Sequence, residues 1–153
     1  MARRNQGAEL FVFLGDRVGE RSVSADEITL TLPGDDAFHG VAHLVLGGVA
    51  SRNDLTVETL EDLTLALDAV LERYGERSEE VTVLSRIDED EAVIEIGPFP
   101  AGEAKSELEG EAGDALDTRR ILLTVCDRVE VFERGGGDWV RVTKRVVRAT
   151  EAA

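Results

Sequence analysis

Between Leu55 and Gly75 (LTVETLEDLTLALDAVLERYG) the residues Leu60, Leu63, Leu67, Val70, Leu71 and Tyr74 recur at helical spacing and make one apolar face. Thr56 is placed to cap this helix, and Glu58 lies in its first turn, where the helix dipole favours an anion. Gly75 follows the last apolar residue, where a left-handed stop is expected. Beside the core face runs a second stripe at i, i+4, i+7 and i+11: Asp62, Ala66, Ala69 and Arg73.

Upstream, Met1–Gly7 reads as a polar start, Glu9–Gly15 as an added edge strand and Asp16–Ala25 as turn-like. In Glu27–Leu32, Ile28, Leu30 and Leu32 point one way and Thr29 and Thr31 the other, the mark of a half-buried strand. Pro33-Gly34 ends it. Asp35 or Asp36 then caps a helix running to about Ala50, with Phe38, Val41, Leu44, Val45 and Val49 facing inward.

After Gly75, Glu80–Ile87 and Ala92–Ile96 form a hairpin around the charged turn Asp88–Glu91. Gly97–Asp114, rich in Gly, Ala and Glu, is expected as a mobile loop. Ala115–Cys126 reads as a short helix. Arg128–Glu133, the turn Arg134–Asp138 and Trp139–Val147 close the chain as a second hairpin, Val140 and Val142 alternating with Arg141 and Thr143. This order predicts an α+β two-layer sandwich: a mixed, mostly antiparallel sheet with helices on one face. The expected organisation is an extension over 1–25, a single domain over 26–149 and a tail over 150–153.

Composition narrows the field of partners. With 17 Lys and Arg against 32 Asp and Glu, the net charge is −15. A nucleic-acid backbone is repelled by such a surface, so no nucleic-acid partner is expected, whereas a basic protein is a suitable one. The single cysteine, Cys126, has no internal disulfide partner. No apolar run is long enough for a membrane span, and a cytoplasmic location is the expectation.

The order of elements, together with EITLTLPGDDAF (27–38), LEDLTLALDAVLERYG (60–75), VTVLSRIDEDEAVIEIG (81–97) and DRVEVFERGGGDWVRVTKRV (127–146), resembles the anti-sigma factor serine kinases of the GHKL (Bergerat-fold, histidine-kinase-like) ATPase superfamily. The resemblance runs from about Glu27 to Val147. It implies a nucleotide site between sheet and helices, held by three motifs. One is a helical Glu and Asn four residues apart; alignment through LALD puts Ala69 and Arg73 there. Sliding the register by one gives Asp68 and Glu72, an acidic pair without the Asn that ligates magnesium. The second is an Asp-x-Gly-x-Gly turn for adenine, which here reads Gly97-Pro98-Phe99-Pro100. The third is a glycine-rich helix start for phosphates, occupied here by Leu116, Asp117, Thr118 and Arg119.

All three motifs depart from the family pattern, so the expectation is a degenerate pocket at Ala69, Arg73, Gly97, Phe99, Leu116, Thr118 and Arg119, with no catalytic residue and no cofactor. Glu103, Glu107, Glu109 and Glu111 against Lys105 add repulsion toward a triphosphate. The resemblance implies a sigma factor or a STAS-domain antagonist as partner, and pairing as a homodimer. Three functions follow: a regulatory binding module that does not hydrolyse ATP; a serine/threonine kinase using ATP and Mg²⁺ with Asp68 and Glu72 as a divergent pair; or a cleft, made more apolar by Phe99 and Leu116, for another small ligand.

Other constellations point to structure. His39 and His43 have an i, i+4 zinc spacing, but no Cys or third His follows, and two helix-surface histidines are expected rather than a metal site. Gly135-Gly136-Gly137 lies between two strands and reads as a hairpin turn, not a phosphate loop. Cys126 reads as a buried small hydrophobe. The basic doublets Arg119-Arg120 and Lys144-Arg145 are expected to be solvated.

Overall fold

Two rows of apolar residues crossing five strands set the architecture. In the computed structural model, which describes residues 11–16, 26–110 and 116–152, six strands form one sheet. They are β1 (Phe11–Asp16), β2 (Asp26–Pro33), β3 (Glu80–Ile87), β4 (Glu91–Phe99), β5 (Arg128–Arg134) and β6 (Gly137–Arg145). Their order is β1-β2-β3-β4-β6-β5, and every pairing among them is antiparallel. One row runs Leu30, Val83, Ile96, Val140 and Val131; the next runs Ile28, Ser85, Ile94, Val142 and Val129. Because side chains alternate along a strand, both rows share the face that meets the helices. The other residues alternate onto the open face, where Thr31 and Thr82 hydrogen-bond at 2.8 Å.

The helices α1 (His39–Arg52), α2 (Val57–Tyr74), α3 (Glu103–Glu109) and α4 (Leu116–Val125) form the second layer, and a short turn, α5 (Ala149–Ala152), ends the described chain. This is the expected α+β sandwich, its described sheet wholly antiparallel where a mixed one was expected. Residues 1–10, 17–25, 111–115 and 153, with the expected polar start, the turn-like stretch and Glu111, lie outside the described residues. Within them, Phe11–Asp16 pairs with β2 at the sheet edge.

The first helix differs from expectation. Asp35 caps a 3₁₀ turn over Asp36–Phe38, its carboxylate accepting from Ala37 N at 2.9 Å, and α1 follows. Its buried residues are His39, Ala42, Leu46, Val49 and Ala50, whereas Leu44 is 78% exposed. Valine, leucine and glycine occur on both sides of this helix, so apolar spacing alone assigns its inward face poorly. His39 is buried rather than on the surface, its Nε2 without a hydrogen-bond partner among the described residues, and His43 Nε2 meets Asp68 Oδ1 at 2.5 Å.

The closing hairpin turns at Gly135 and Gly136, both with positive φ (62° and 83°), as a tight turn with glycine at both centres requires. Lys144 is not solvated: its ammonium donates to Val125 O at the end of α4 (3.0 Å) and pairs with Asp62 on α2 (2.9 Å). Arg148 donates to the carbonyls of Glu89 and Asp88 in the β3–β4 turn, pinning the end of the chain across the sheet. Cys126 is buried, and burial pushes its thiol up to about 12, leaving an inert side chain.

Candidate functional site

The stripe on α2 is where function was expected. Thr56 Oγ1 accepts from Thr59 N at 3.1 Å, a cap that stabilises a helix start by about 1 kcal/mol. The apolar face lands as the periodicity predicts: Leu63, Leu67, Val70, Leu71 and Tyr74 are buried, and Leu60 is half-buried. Gly75 departs from the expected left-handed stop. It is right-handed (φ −56°) and leads into a 3₁₀ turn, Gly75–Arg77. A Cβ there would come to 3.3 Å from both Gly34 O and His39 Nε2, a tight fit that asks these neighbours to give by a few tenths of an ångström.

Ala66 and Ala69 are buried, at 0% and 9% exposure, on a helix that packs against α4 and β4. Arg73 leaves the end of α2 and meets Glu107 on α3, both Nε and Nη2 lying 3.0 Å from Oε1. Arg77 continues the pairing, with Nη1 2.7 Å from Glu103 Oε1 and 3.4 Å from Glu107 Oε2. In the alternative register, Asp68 is held by His43 and Glu72 is exposed. The two acids therefore point to different surroundings.

The segment expected as a loop from Gly97 is largely ordered structure. β4 continues through Phe99, and Glu103–Glu109 form α3, started by Gly102 at φ 86° and burying Ala104 and Leu108. The i, i+4 spacing of those two residues in EAKSELE is helical, but the flanking glycines and prolines obscured it. Asp138, 4% exposed on β6, accepts from Lys105 N at 2.9 Å and so supplies the cap that Gly102 lacks.

Phe99 is 2% exposed and lies against Tyr74, with ring centroids 5.3 Å apart and planes tilted by 40°. Burial, then the neighbouring Glu107 carboxylate, raises the pKa of the Tyr74 hydroxyl above its ordinary value; among the described residues it has no hydrogen-bond partner of normal geometry. Burial works to raise the Glu107 carboxyl too, but the Arg73 hydrogen bond and the charges of Arg73 and Arg77 outweigh it and hold that group below the ordinary carboxylate range. Gly97 is closed off from above: a Cβ would meet Trp139 Cδ2 at 2.7 Å on the open face of the sheet.

Of the remaining predicted positions, Leu116 begins α4, and its side chain is outside the described residues. Asp117 is exposed and Thr118 half-buried. Arg119 lines a shallow cleft of about 230 Å³ with Leu108, Glu109, Leu123, Val129 and Val131. The structure thus gathers Arg73, Phe99 and, through Glu107, α3 at the end of α2, and places Arg119 on a separate cleft. Sequence reasoning missed Arg77 and Asp138, and took Glu103 and Glu107 for unpaired repelling charges. The matched i, i+4 spacing of Arg73/Arg77 and Glu103/Glu107 was the available signal.

An antiparallel sheet with helices on one face and a long helix running to this cluster is the architecture of an α+β sandwich resembling the anti-sigma factor serine kinases. Relatives bear this out: the chain is similar to the serine-protein kinase RsbW of Listeria innocua serovar 6a, at 31% identity over 100 residues, 51% of this chain and 64% of the relative. It is likewise similar to RsbW of Listeria monocytogenes serovar 1/2a, at 31% over 100 residues, 51% of this chain and 64% of the relative. RsbW of Bacillus velezensis is 28% identical over 137 residues, covering 75% of this chain and 83% of that protein. The match thus spans 64% of the length of the Listeria relatives. No protein-family model matches. Among the described residues, no helix is long and apolar enough to cross a membrane.

Proposed function

We propose that this protein is a regulatory binding module of the anti-sigma type, acting by partner switching between a sigma factor and a STAS-domain antagonist in the cytoplasm without hydrolysing ATP. The observation that carries the reading is the pairing of Arg73 with Glu107. At the position where the family resemblance calls for a magnesium-binding amide stands a guanidinium, which repels a divalent cation and is already committed to an acid on α3. Ala69 offers no carboxylate to an attacking hydroxyl, and the turn Gly97-Pro98-Phe99-Pro100 carries no Asp for adenine. These residues do not fit Mg²⁺-ATP. A micromolar nucleotide site requires about −8 kcal/mol, and hydrogen bonds to charged groups supply roughly 1.5–3 kcal/mol each. Loss of three such groups removes most of that affinity.

The net charge of −15 suits a basic protein surface and opposes nucleic acid. Pairing of two copies is part of the same proposal. The kinase name of the relatives favours a second reading, a serine kinase using ATP and Mg²⁺ through Asp68 and Glu72. Calorimetric titration with Mg²⁺-ATP tests the first: no heat of binding is expected up to high micromolar nucleotide. Low-micromolar affinity, or transfer of labelled phosphate to a serine of a STAS-domain protein, overturns it in favour of the second.

A further inference from the structure

The sheet ends at β5, which pairs with β6 on one side and with no described strand on the other. The outer edge of a terminal strand presents unpaired N–H and C=O groups, which proteins commonly guard with charge. In β5 that guard stands on one face only. Arg128, Glu130 and Arg134 lie on the open face, whereas Val129 and Val131 face the helix layer, half-buried and packed against the core. Beside these two valines is the shallow cleft of about 230 Å³ whose other walls include Leu123 and Arg119 of α4. Leu123 is 49% exposed. Arg119, one helical turn before it, is half-buried and makes no ion pair or hydrogen bond among the described residues. The other half-buried cationic side chains each have a partner: Arg73 has Glu107, Arg141 has Glu95, Lys144 has Asp62, and Arg148 has the Asp88 and Glu89 carbonyls. A cation drawn partly out of water without an anion is unfavourable, so the place Arg119 occupies calls for one.

We propose that the groove between α4 and the free edge of β5 receives an extended segment of a protein partner, which adds to the sheet as a seventh strand and sets a carboxylate on Arg119. The lining dictates the chemistry of the segment. Its main chain pairs with β5 and supplies affinity, and its alternate side chains supply specificity. Those on the helix side are apolar against Val129, Val131 and Leu123, with one acid for Arg119; those on the open side are polar. A small carboxylate ligand satisfies Arg119 but leaves the strand edge unpaired. A second copy brings another −15 charges to the edge, whereas a short segment brings the one anion that Arg119 lacks. The inference goes beyond the reading above and is independent of it, because this cleft is separate from the end of α2.

The test is a titration of the full chain, labelled with ¹⁵N, with the capped heptapeptide Glu-Thr-Val-Thr-Val-Thr-Glu, whose acids and valines share one side in either strand direction. Binding at sub-millimolar concentration is expected, with amides of residues 119–123 and 128–134 shifting together. Replacing the peptide glutamates by glutamine, or Arg119→Gln in the protein, is expected to weaken binding about fivefold or more, and Leu123→Ser to weaken it too, with the far-ultraviolet circular dichroism unchanged. Methylating one alternate set of peptide backbone nitrogens should abolish binding while the other set spares it, which side-chain adhesion alone does not produce. No shift up to millimolar peptide, equal affinity for the glutamine peptide, or indifference to both methylated sets overturns the proposal. So do the same shifts on concentrating the protein alone, which make a second copy the occupant, or on adding decanoate alone, which make it a small amphipathic carboxylate. Nucleotide titration reads a different site, so the two readings stand or fall separately.

Discussion

Phe99 offers the sharpest test of whether the end of α2 is core or cavity. It is 2% exposed, and its ring packs on Tyr74 at a centroid distance of 5.3 Å. Truncation by Phe99→Ala removes the ring from a position lined by the Tyr74 ring. The loss combines the transfer free energy of the deleted atoms with the cost of the hole left behind, about 3–5 kcal/mol for a well-packed phenylalanine. The tilted aromatic pair accounts for about 0.5–1.5 kcal/mol within that sum. Against a domain stability of about 5–15 kcal/mol, the variant is expected to stay folded with a large part of its margin gone. Phe99→Leu, which keeps much of the volume, is expected to cost less than about 1.5 kcal/mol. Urea denaturation of the three proteins gives the comparison, since an unchanged slope with a lowered midpoint isolates stability from compactness. A cost below about 1 kcal/mol for Phe99→Ala at unchanged slope refutes the packing argument, because it means the ring fills nothing.

Gly97→Ala places a Cβ 2.7 Å from Trp139 Cδ2 and 2.9 Å from Asp138 O, neither on a flexible side-chain end. A loss of about 1–3 kcal/mol is expected, with a shift in fluorescence from Trp139, the only tryptophan in the chain. Acid should loosen α3 before the sheet. Glu107, faced by Arg73, Tyr74, Arg77 and Glu103, has a carboxyl held below its ordinary value of 4.5, so its stabilising effect is present above that pH and disappears as pH falls through the lower folded-state value. The protection factor of residues 103–109, exchange taken relative to the unstructured rate at each pH, should be flat from pH 7 to 5 and fall below about pH 4.

What was legible in the sequence divides along physical lines. The strands of both hairpins and the core face of α2 were plain because each has one buried side and one wet side, so period and burial agree. The inward face of α1 was partly misread because its apolar residues surround the helix, and Leu44 is exposed as a result. The helix α3 was missed for a different reason. Its stability is not local: it depends on Arg73 and Arg77, about thirty residues earlier, and on Asp138, about thirty later. Lys144 was misjudged in the same way, since only the folded chain reveals that α4 ends where its ammonium can reach Val125 O and Asp62. Ala69, Arg73 and Phe99 were singled out from motif spacing, but the pairing of Arg73 with Glu107 and of Phe99 with Tyr74 was not.

The two ends of the α2 stripe are now spent within the fold. Asp62 pairs with Lys144, Arg73 pairs with Glu107, and the two alanines between are buried. A ligand site needs donors and acceptors left free toward open space; here they are satisfied by neighbouring elements. A carboxylate placed at position 69 does not change this, because an acid at 9% exposure faces a desolvation cost unless a partner is supplied. On the proposed alignment, a nucleotide held at this end of α2 requires the Arg73–Glu107 bridge to break. The kinase reading therefore asks several elements to move together, while the binding reading asks nothing of the interior and places recognition on the acidic surface.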